Sequence, residues 1–238
     1  MESVSEKTVR DLASSNPAAA RIFEKYGIDY CCGGEKSLAQ ACGTAGVSLQ
    51  EVAEALEEPQ AQRIDRDWTN ASLTELSQHI VNKHHAFVRQ EMKRLIPLFA
   101  KVVEVHGKNH PELAQIRCSF HLLADELAQH LMKEERILFP YVEQLEDAAQ
   151  RGGRSAPPMF GTVQNPVRMM RMEHDSAGEI LRNMRQAASN YSLPEDACMS
   201  FRMLYRALQE FEIDLHQHIH LENNILFPRA IELETAMG

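Results

Sequence analysis

The chain has 238 residues, a formal net charge of −9 and an apolar fraction of 44%, and its mean hydropathy is −0.37. These values allow a hydrophobic core and argue against nucleic acid or an anionic membrane as the main partner. No apolar run approaches the length of a membrane span and no signal peptide is evident at the N-terminus. Five cysteines, an odd number, do not fit a secreted disulfide framework and indicate a cytoplasmic location.

Residues 1–58 are expected to form a small helical domain. Asn16 and Pro17 are a helix cap followed by proline at the first helical position, and Gly27 is expected to end that helix. The next turn carries two adjacent thiols, Cys31 and Cys32, before two further short helices. Residues 59–71 are polar, and we interpret them as a linker between domains.

Residues 72–238 predict an all-α fold, because apolar residues recur with a period of 3.6 and no run is typical of a strand. The four long helices are expected at 72–106, 111–148, 165–190 and 194–234. Pro97 lies inside the first of them and predicts a kink or a break. The pattern indicates a four-helix bundle made of a duplicated helical hairpin, preceded by the small helical domain.

The duplication is visible as a repeated segment. Residues 130–140 recur as residues 218–228, and six of the eleven positions are identical. In each copy a histidine precedes a glutamate by four residues, so that the two side chains share one helix face. The resulting pairs, His130 with Glu134 and His218 with Glu222, suggest a dinuclear iron or manganese site.

The same reasoning selects one histidine on each remaining helix. His174 shares an apolar face with its neighbours in the third helix. In the first helix we favour His85, because the face of the adjacent His84 runs into Glu91, but His84 stays an alternative. Burying six such groups without metal would be costly. The competing interpretation is that these six side chains are coincidental polar residues. Further histidines are interpreted as surface or accessory residues, namely His79, His106, His110, His121 and His220.

These residues resemble the hemerythrin-type di-iron bundles. Together with the segment Tyr30–Gly34, they resemble the RIC (repair of iron centres) proteins of the YtfE/ScdA type over nearly the whole chain. The resemblance implies two non-haem iron ions, oxo- or hydroxo-bridged, and the repair of iron–sulfur clusters damaged by nitric oxide or peroxide. It implies damaged iron–sulfur proteins as partners, nitric oxide or oxygen as small ligands, and a homodimer at most. The implied ligands are His85, His130, His174 and His218, with Glu134 and Glu222 as bridges.

Three functions are compatible with these residues, and the sequence leaves open whether the protein is an enzyme. The favoured function is repair by iron donation or nitric oxide handling. Cys31 and Cys32 are interpreted as exchange thiols, because a disulfide between adjacent cysteines is strained. The pair could instead be small apolar residues in a turn, and Cys42 is a weaker third thiol. The alternatives are a di-iron nitric oxide reductase and a sensor that binds oxygen or nitric oxide.

Overall fold

The computed structural model describes residues 4–57, 67–153 and 158–237, and within these ranges the regular structure is helical. The predicted all-α fold is therefore confirmed. Most of the predicted linker, residues 59–66, lies outside the described residues. Among the helices that are described, none combines the length and the apolar character needed to cross a membrane.

The contacts between residues divide the chain into two compact units. The first comprises the described residues within Met1–Ser77, Leu145–Ser155 and His216–Gly238. The second comprises those within Gln78–Gln144 and Ala156–Leu215. Each unit therefore combines segments that are far apart in the sequence.

The N-terminal helices belong to the first unit and are α1 (Val9–Ser15), α2 (Pro17–Tyr26), α3 (Leu38–Ala45) and α4 (Leu49–Glu57). The side chain of Asn16 accepts a hydrogen bond from the backbone of α2, and Gly27 ends this helix with a left-handed φ of 65°, as predicted. Ser37 opens α3 with a capping box. These helices enclose a core of buried side chains that includes Val9, Ile22, Phe23, Leu38, Cys42 and Val52.

The long predicted helices are built from several elements. The α-helices are α5 (Leu73–His79), α6 (Ala86–His106), α7 (Glu112–Lys133), α8 (Phe139–Gln150), α9 (Gln164–Ala187), α10 (Met199–Leu221) and α11 (Phe227–Met237). Three short π-helical turns connect some of them: π1 (Ile80–His85) joins α5 to α6, π2 (Glu134–Leu138) joins α7 to α8, and π3 (Glu222–Leu226) joins α10 to α11. The apolar pattern predicts the long helices but not the π turns.

The second unit is a four-helix bundle formed by α6, α7, α9 and residues 199–215 of α10. Helix α7 packs against both α6 and α9. Its buried Phe120 packs against Phe99 of α6 with tilted rings, 5.2 Å between centroids, and meets Phe211 of α10 edge-on at 5.6 Å. Helix α6 continues through Pro97 without the predicted break. Aromatic packing therefore joins three of the four helices at one level of the core.

The connection between α9 and α10 differs from the prediction, because α10 begins at Met199 rather than near Pro194. Residues Ser189–Tyr191 all have positive φ, between 49° and 58°. Such conformations cost about 1–3 kcal/mol for each non-glycine residue. The Tyr191 hydroxyl donates a hydrogen bond of 3.0 Å to buried Glu212, which also accepts one of 2.6 Å from Arg185. These contacts hold the connection in place.

We expect Phe120→Ala to destabilise the metal-free protein by about 3–5 kcal/mol, because it leaves a cavity where a fully buried ring contacts two helices. Urea unfolding followed by circular dichroism measures this loss. Leu122→Ala is the matched control, since Leu122 lies on the same helix and is 53% exposed. An equal loss of unfolding free energy in the two variants would contradict the placement of Phe120 in the core.

Candidate metal centre

The second unit contains four of the six side chains that the sequence proposes as metal ligands. His85 ends π1, His130 lies in the last turn of α7, Glu134 begins π2, and His174 lies in the middle of α9. All four side chains are buried. Four helical elements of the second unit, π1, α7, π2 and α9, therefore direct imidazole or carboxylate groups into its interior.

The carboxylate of Glu134 lies between two histidines. Its Oε1 is 3.2 Å from Nε2 of His130, and its Oε2 is 3.4 Å from Nε2 of His85. Nε2 of His174 lies 3.0 Å from Nε2 of His130. Adjacent ligands of one metal ion are about 3 Å apart when the metal–nitrogen bonds are about 2.1 Å. The donor set and its spacing therefore fit a metal ion next to each oxygen of Glu134.

A carboxylate fixes the orientation of His130. Nδ1–H of His130 donates a hydrogen bond of 2.8 Å to Glu173, which also forms an ion pair with Lys133. The hydrogen bond from His130, together with Lys133, lowers the pKa of Glu173 to about 2. Glu173 is therefore ionised at neutral pH and holds the proton of Nδ1, so that the lone pair of Nε2 is directed toward Glu134.

The adjacent histidines of the first long helix have different partners. Nδ1–H of His85 donates a hydrogen bond of 2.7 Å to Glu135. Burial raises the pKa of Glu135, but hydrogen bonds from Arg89 and His85 outweigh it and lower that pKa. His84 is also buried, and its Nδ1 bonds to Asp214 at 3.0 Å. Each histidine thus has a carboxylate on Nδ1, and the two differ because Nε2 of His85 also approaches Glu134.

The remaining two predicted ligands belong to the first unit. His218 lies in the last turn of α10 and Glu222 begins π3, and both are fully buried. Nε2 of His218 is 3.0 Å from Oε1 of Glu222. This geometry repeats that of His130 and Glu134, in which a histidine at the end of an α-helix is followed by a glutamate that opens a π turn. The sequence repeat is therefore also a structural repeat.

The π turns are the feature of the site that sequence reasoning missed. A π turn adds a residue to the helical repeat, and such turns are frequent at functional sites. Each of the three contains a predicted ligand, namely His85, Glu134 or Glu222. Sequence reasoning also assigned no role to Glu135 and Glu173. The only indication of a role in the sequence is that each carboxylate is adjacent to a predicted ligand, Glu135 to Glu134 and Glu173 to His174.

The two adjacent thiols form a second group of candidate donors, in the first unit. Sγ of Cys31 is 3.8 Å from Sγ of Cys32 and 3.5 Å from Oδ1 of Asp29, whereas a disulfide bond is about 2.05 Å long. The same carboxylate oxygen accepts hydrogen bonds from the backbone N–H groups of Cys32 and Gly33. Burial raises the pKa of Asp29, but these hydrogen bonds outweigh it and lower that pKa. The hydrogen bond with Cys32 and burial raise the pKa of Cys31 well above its ordinary value.

The thiol-bearing turn packs against π3. Nδ2 of Asn223 donates a hydrogen bond of 3.2 Å to the carbonyl of Cys31, and Nδ2 of Asn224 donates one of 3.0 Å to the carbonyl of Tyr30. Asn224 also bonds to Nδ1 of His220 at 2.8 Å. Burial lowers the pKa of His220 to about 4, so this histidine is a neutral acceptor. The thiols are therefore fixed to the π turn that begins with a candidate ligand.

The other thiols are placed differently. Cys42 is buried in the N-terminal core, whereas Cys118 and Cys198 are exposed. Burial raises the pKa of Cys42. Cys42 therefore packs as an apolar side chain.

A helical bundle with buried histidines and glutamates on successive helices defines a metal-binding bundle of the hemerythrin type. The model of the hemerythrin HHE cation binding domain matches residues 76–230, and ScdA_N, a domain of unknown function (DUF542), matches residues 5–60. The first match covers the segment that contains all six predicted metal ligands. The second covers Cys31 and Cys32.

Whole-chain relatives agree with this class. The chain is 37% identical over 232 residues to a Haemophilus influenzae protein named "Probable iron-sulfur cluster repair protein", covering 96% of this chain and 98% of that one. It is 34% identical over 226 residues to proteins named "Iron-sulfur cluster repair protein YtfE" from Escherichia coli O157:H7 and Citrobacter koseri, covering 95% of this chain and 97% of each relative. The chain therefore belongs to the iron–sulfur cluster repair protein family, and the expected resemblance is confirmed.

We expect Glu173→Gln to weaken iron binding by about 10–100-fold, because it removes the negative charge that orients His130. Competition with a calibrated chelator measures the affinity. Glu179→Gln is the control, since Glu179 is exposed on the same helix. Unchanged affinity in the Glu173 variant would contradict a role for this carboxylate at the metal.

Proposed function

We propose that this protein is a non-haem di-iron protein that repairs iron–sulfur clusters damaged by nitrosative or oxidative stress. The observation that carries the proposal is the placement of Glu134, whose two carboxylate oxygens each approach a different buried histidine. Membership of the repair family supports the same function. The proposed clients are damaged iron–sulfur proteins, with nitric oxide or oxygen as small ligands of the iron.

The proposed ligands of the two iron ions are His85, His130, His174 and His218, with Glu134 and Glu222 as bridges. The equivalence of the His130–Glu134 and His218–Glu222 pairs supports a second bridge like the first. Burying carboxylates costs several kcal/mol each unless positive charge compensates them, and bound cations supply that charge. Iron suits a mixed imidazole and carboxylate set. When bound, the two ions would supply a redox-active Lewis acid for a diatomic ligand.

The chain's own residues prepare this site in two ways. Glu173 and Glu135 hold the Nδ1 protons of His130 and His85, which keeps their Nε2 atoms available for metal. Burial excludes bulk water from these nitrogens and from Glu134. Both effects strengthen binding without direct contact between the supporting carboxylates and the metal.

The thiols are proposed to accept iron or a nitrosyl group during transfer to a client. Cys32 is the more accessible of the pair, and Cys31 is buried behind it. Asp29 lies 3.5 Å from Sγ of Cys31 and accepts a hydrogen bond from that thiol. The hydrogen bonds from Asn223 and Asn224 support a role close to Glu222, because they attach the turn to π3.

We also propose that the chain consists of a small helical domain at 1–58, a linker at 59–71 and a bundle at 72–238. We propose a cytoplasmic location, because five cysteines, an odd number, do not fit a secreted disulfide framework. A homodimer is the largest assembly we propose.

Anaerobically purified protein should contain two iron ions per chain by elemental analysis. We expect the double variant His174→Ala, Glu222→Ala to lose most of the iron, because it removes one ligand and one bridge. His121→Ala is the control, since His121 is exposed on α7. Zinc in place of iron, one iron per chain, or full retention of iron by the double variant would contradict the site.

In a repair assay, a dehydratase inactivated by nitric oxide should regain activity with the iron-loaded protein. We expect Cys31→Ser and Cys32→Ser to retain iron but to lose most of the repair, whereas Cys118→Ser, which changes an exposed thiol on α7, should repair normally. Normal repair by both thiol variants would contradict the proposed role of the turn. Sustained nitrous oxide formation without repair would identify a nitric oxide reductase instead.

A further inference from the structure

A second cluster of metal-binding side chains lies within the bundle of the second unit. His106 ends α6, His110 lies in the turn before α7, and Asp196 lies shortly before α10. One donor atom from each of these residues lies within 4.8 Å of the other two. His106 is buried and Asp196 is exposed, so the cluster is open to solvent on one side.

This cluster is far from His85, one of the proposed iron ligands. His106 and His85 are separated by the full length of α6. At 1.5 Å per residue, that helix spans about 30 Å. The cluster and the iron centre can therefore be occupied independently, and the inference goes beyond the proposed function.

His110 has the surroundings of a metal ligand. Nδ1–H donates a hydrogen bond of 3.0 Å to Glu112, while Nε2 lies 2.9 Å from Oδ1 of Asp196. A carboxylate on the nitrogen that faces away from the metal is typical of metal-binding histidines, because it fixes the tautomer and the ring orientation. Glu112 is thus placed to support His110, and Asp196 to share a cation with it.

His106 contributes the remaining donor. Nε2 of His106 is buried, and no hydrogen bond of ordinary geometry reaches it from the part of the chain that the structure describes. Leaving such a nitrogen without a partner is costly, and a bound cation would satisfy it.

We propose that His106, His110 and Asp196 form a site for one divalent transition-metal ion, with its fourth position open to solvent. Two imidazole nitrogens and one carboxylate oxygen, with water as the fourth ligand, are a donor set that suits tetrahedral Zn²⁺, and Fe²⁺ or Co²⁺ can use the same ligands. The competing arrangement is an ion pair, in which His110 is protonated between Glu112 and Asp196 and no metal binds.

Titration of the iron-loaded, full-length protein with Co²⁺ tests the site. Difference spectra should show the visible bands of tetrahedral Co²⁺ up to one equivalent, with the iron content of the same sample unchanged, and Zn²⁺ should abolish them. His110→Gln and Asp196→Asn should each weaken Co²⁺ binding by about tenfold or more. The exposed-residue control His121→Gln should bind Co²⁺ like the unaltered protein.

The absence of tetrahedral bands at one equivalent would overturn the proposal and leave the ion pair. Binding that persists unchanged in both His110→Gln and Asp196→Asn would overturn it as well. Co²⁺ uptake that accompanies iron loss would mean that cobalt enters the iron centre, which also overturns the second site. Because iron is measured in every sample, failure of this proposal is distinguishable from failure of the proposed iron centre.

Discussion

The fully buried carboxylate of Glu134, held between the imidazoles of His85 and His130, is the constraint on which the interior of the bundle depends. A charge in that position costs several kcal/mol unless cations compensate it. Glu135 and Glu173 reinforce this arrangement, because each holds the outer proton of one imidazole and directs the inner nitrogen toward Glu134. The bundle thus concentrates negative charge and nitrogen lone pairs in one interior region, which is the electrostatic requirement of a cation site.

The two copies of the repeated segment share their ligand pair but differ in the residues that follow the glutamate. In the first copy Glu135 bonds to His85, a proposed ligand. In the second copy Asn223 and Asn224 occupy the corresponding positions and donate to the carbonyls of Cys31 and Tyr30. One copy therefore supports the proposed metal ligands, and the other attaches the thiol-bearing turn.

The elements that depend on local sequence were predictable. Periodicity identified the long helices, and the cap at Asn16 and the stop at Gly27 follow from the conformational preferences of those residues. The π turns were not predictable, because an added residue in a helix has no compositional signature. The backbone of Ser189–Tyr191 was not predictable either, since its left-handed conformation depends on a tertiary contact with Glu212. The proposed ligand set could be derived from the repeat, but its supporting carboxylates required the three-dimensional contacts.

An anomalous difference map from crystals of the iron-loaded protein, collected at the iron absorption edge, would locate the two ions directly. We expect two peaks per chain about 3–4 Å apart, with the carboxylate of Glu134 between them and His85 and His130 on opposite peaks. A single peak, or two peaks that do not flank Glu134, would contradict the proposed di-iron centre.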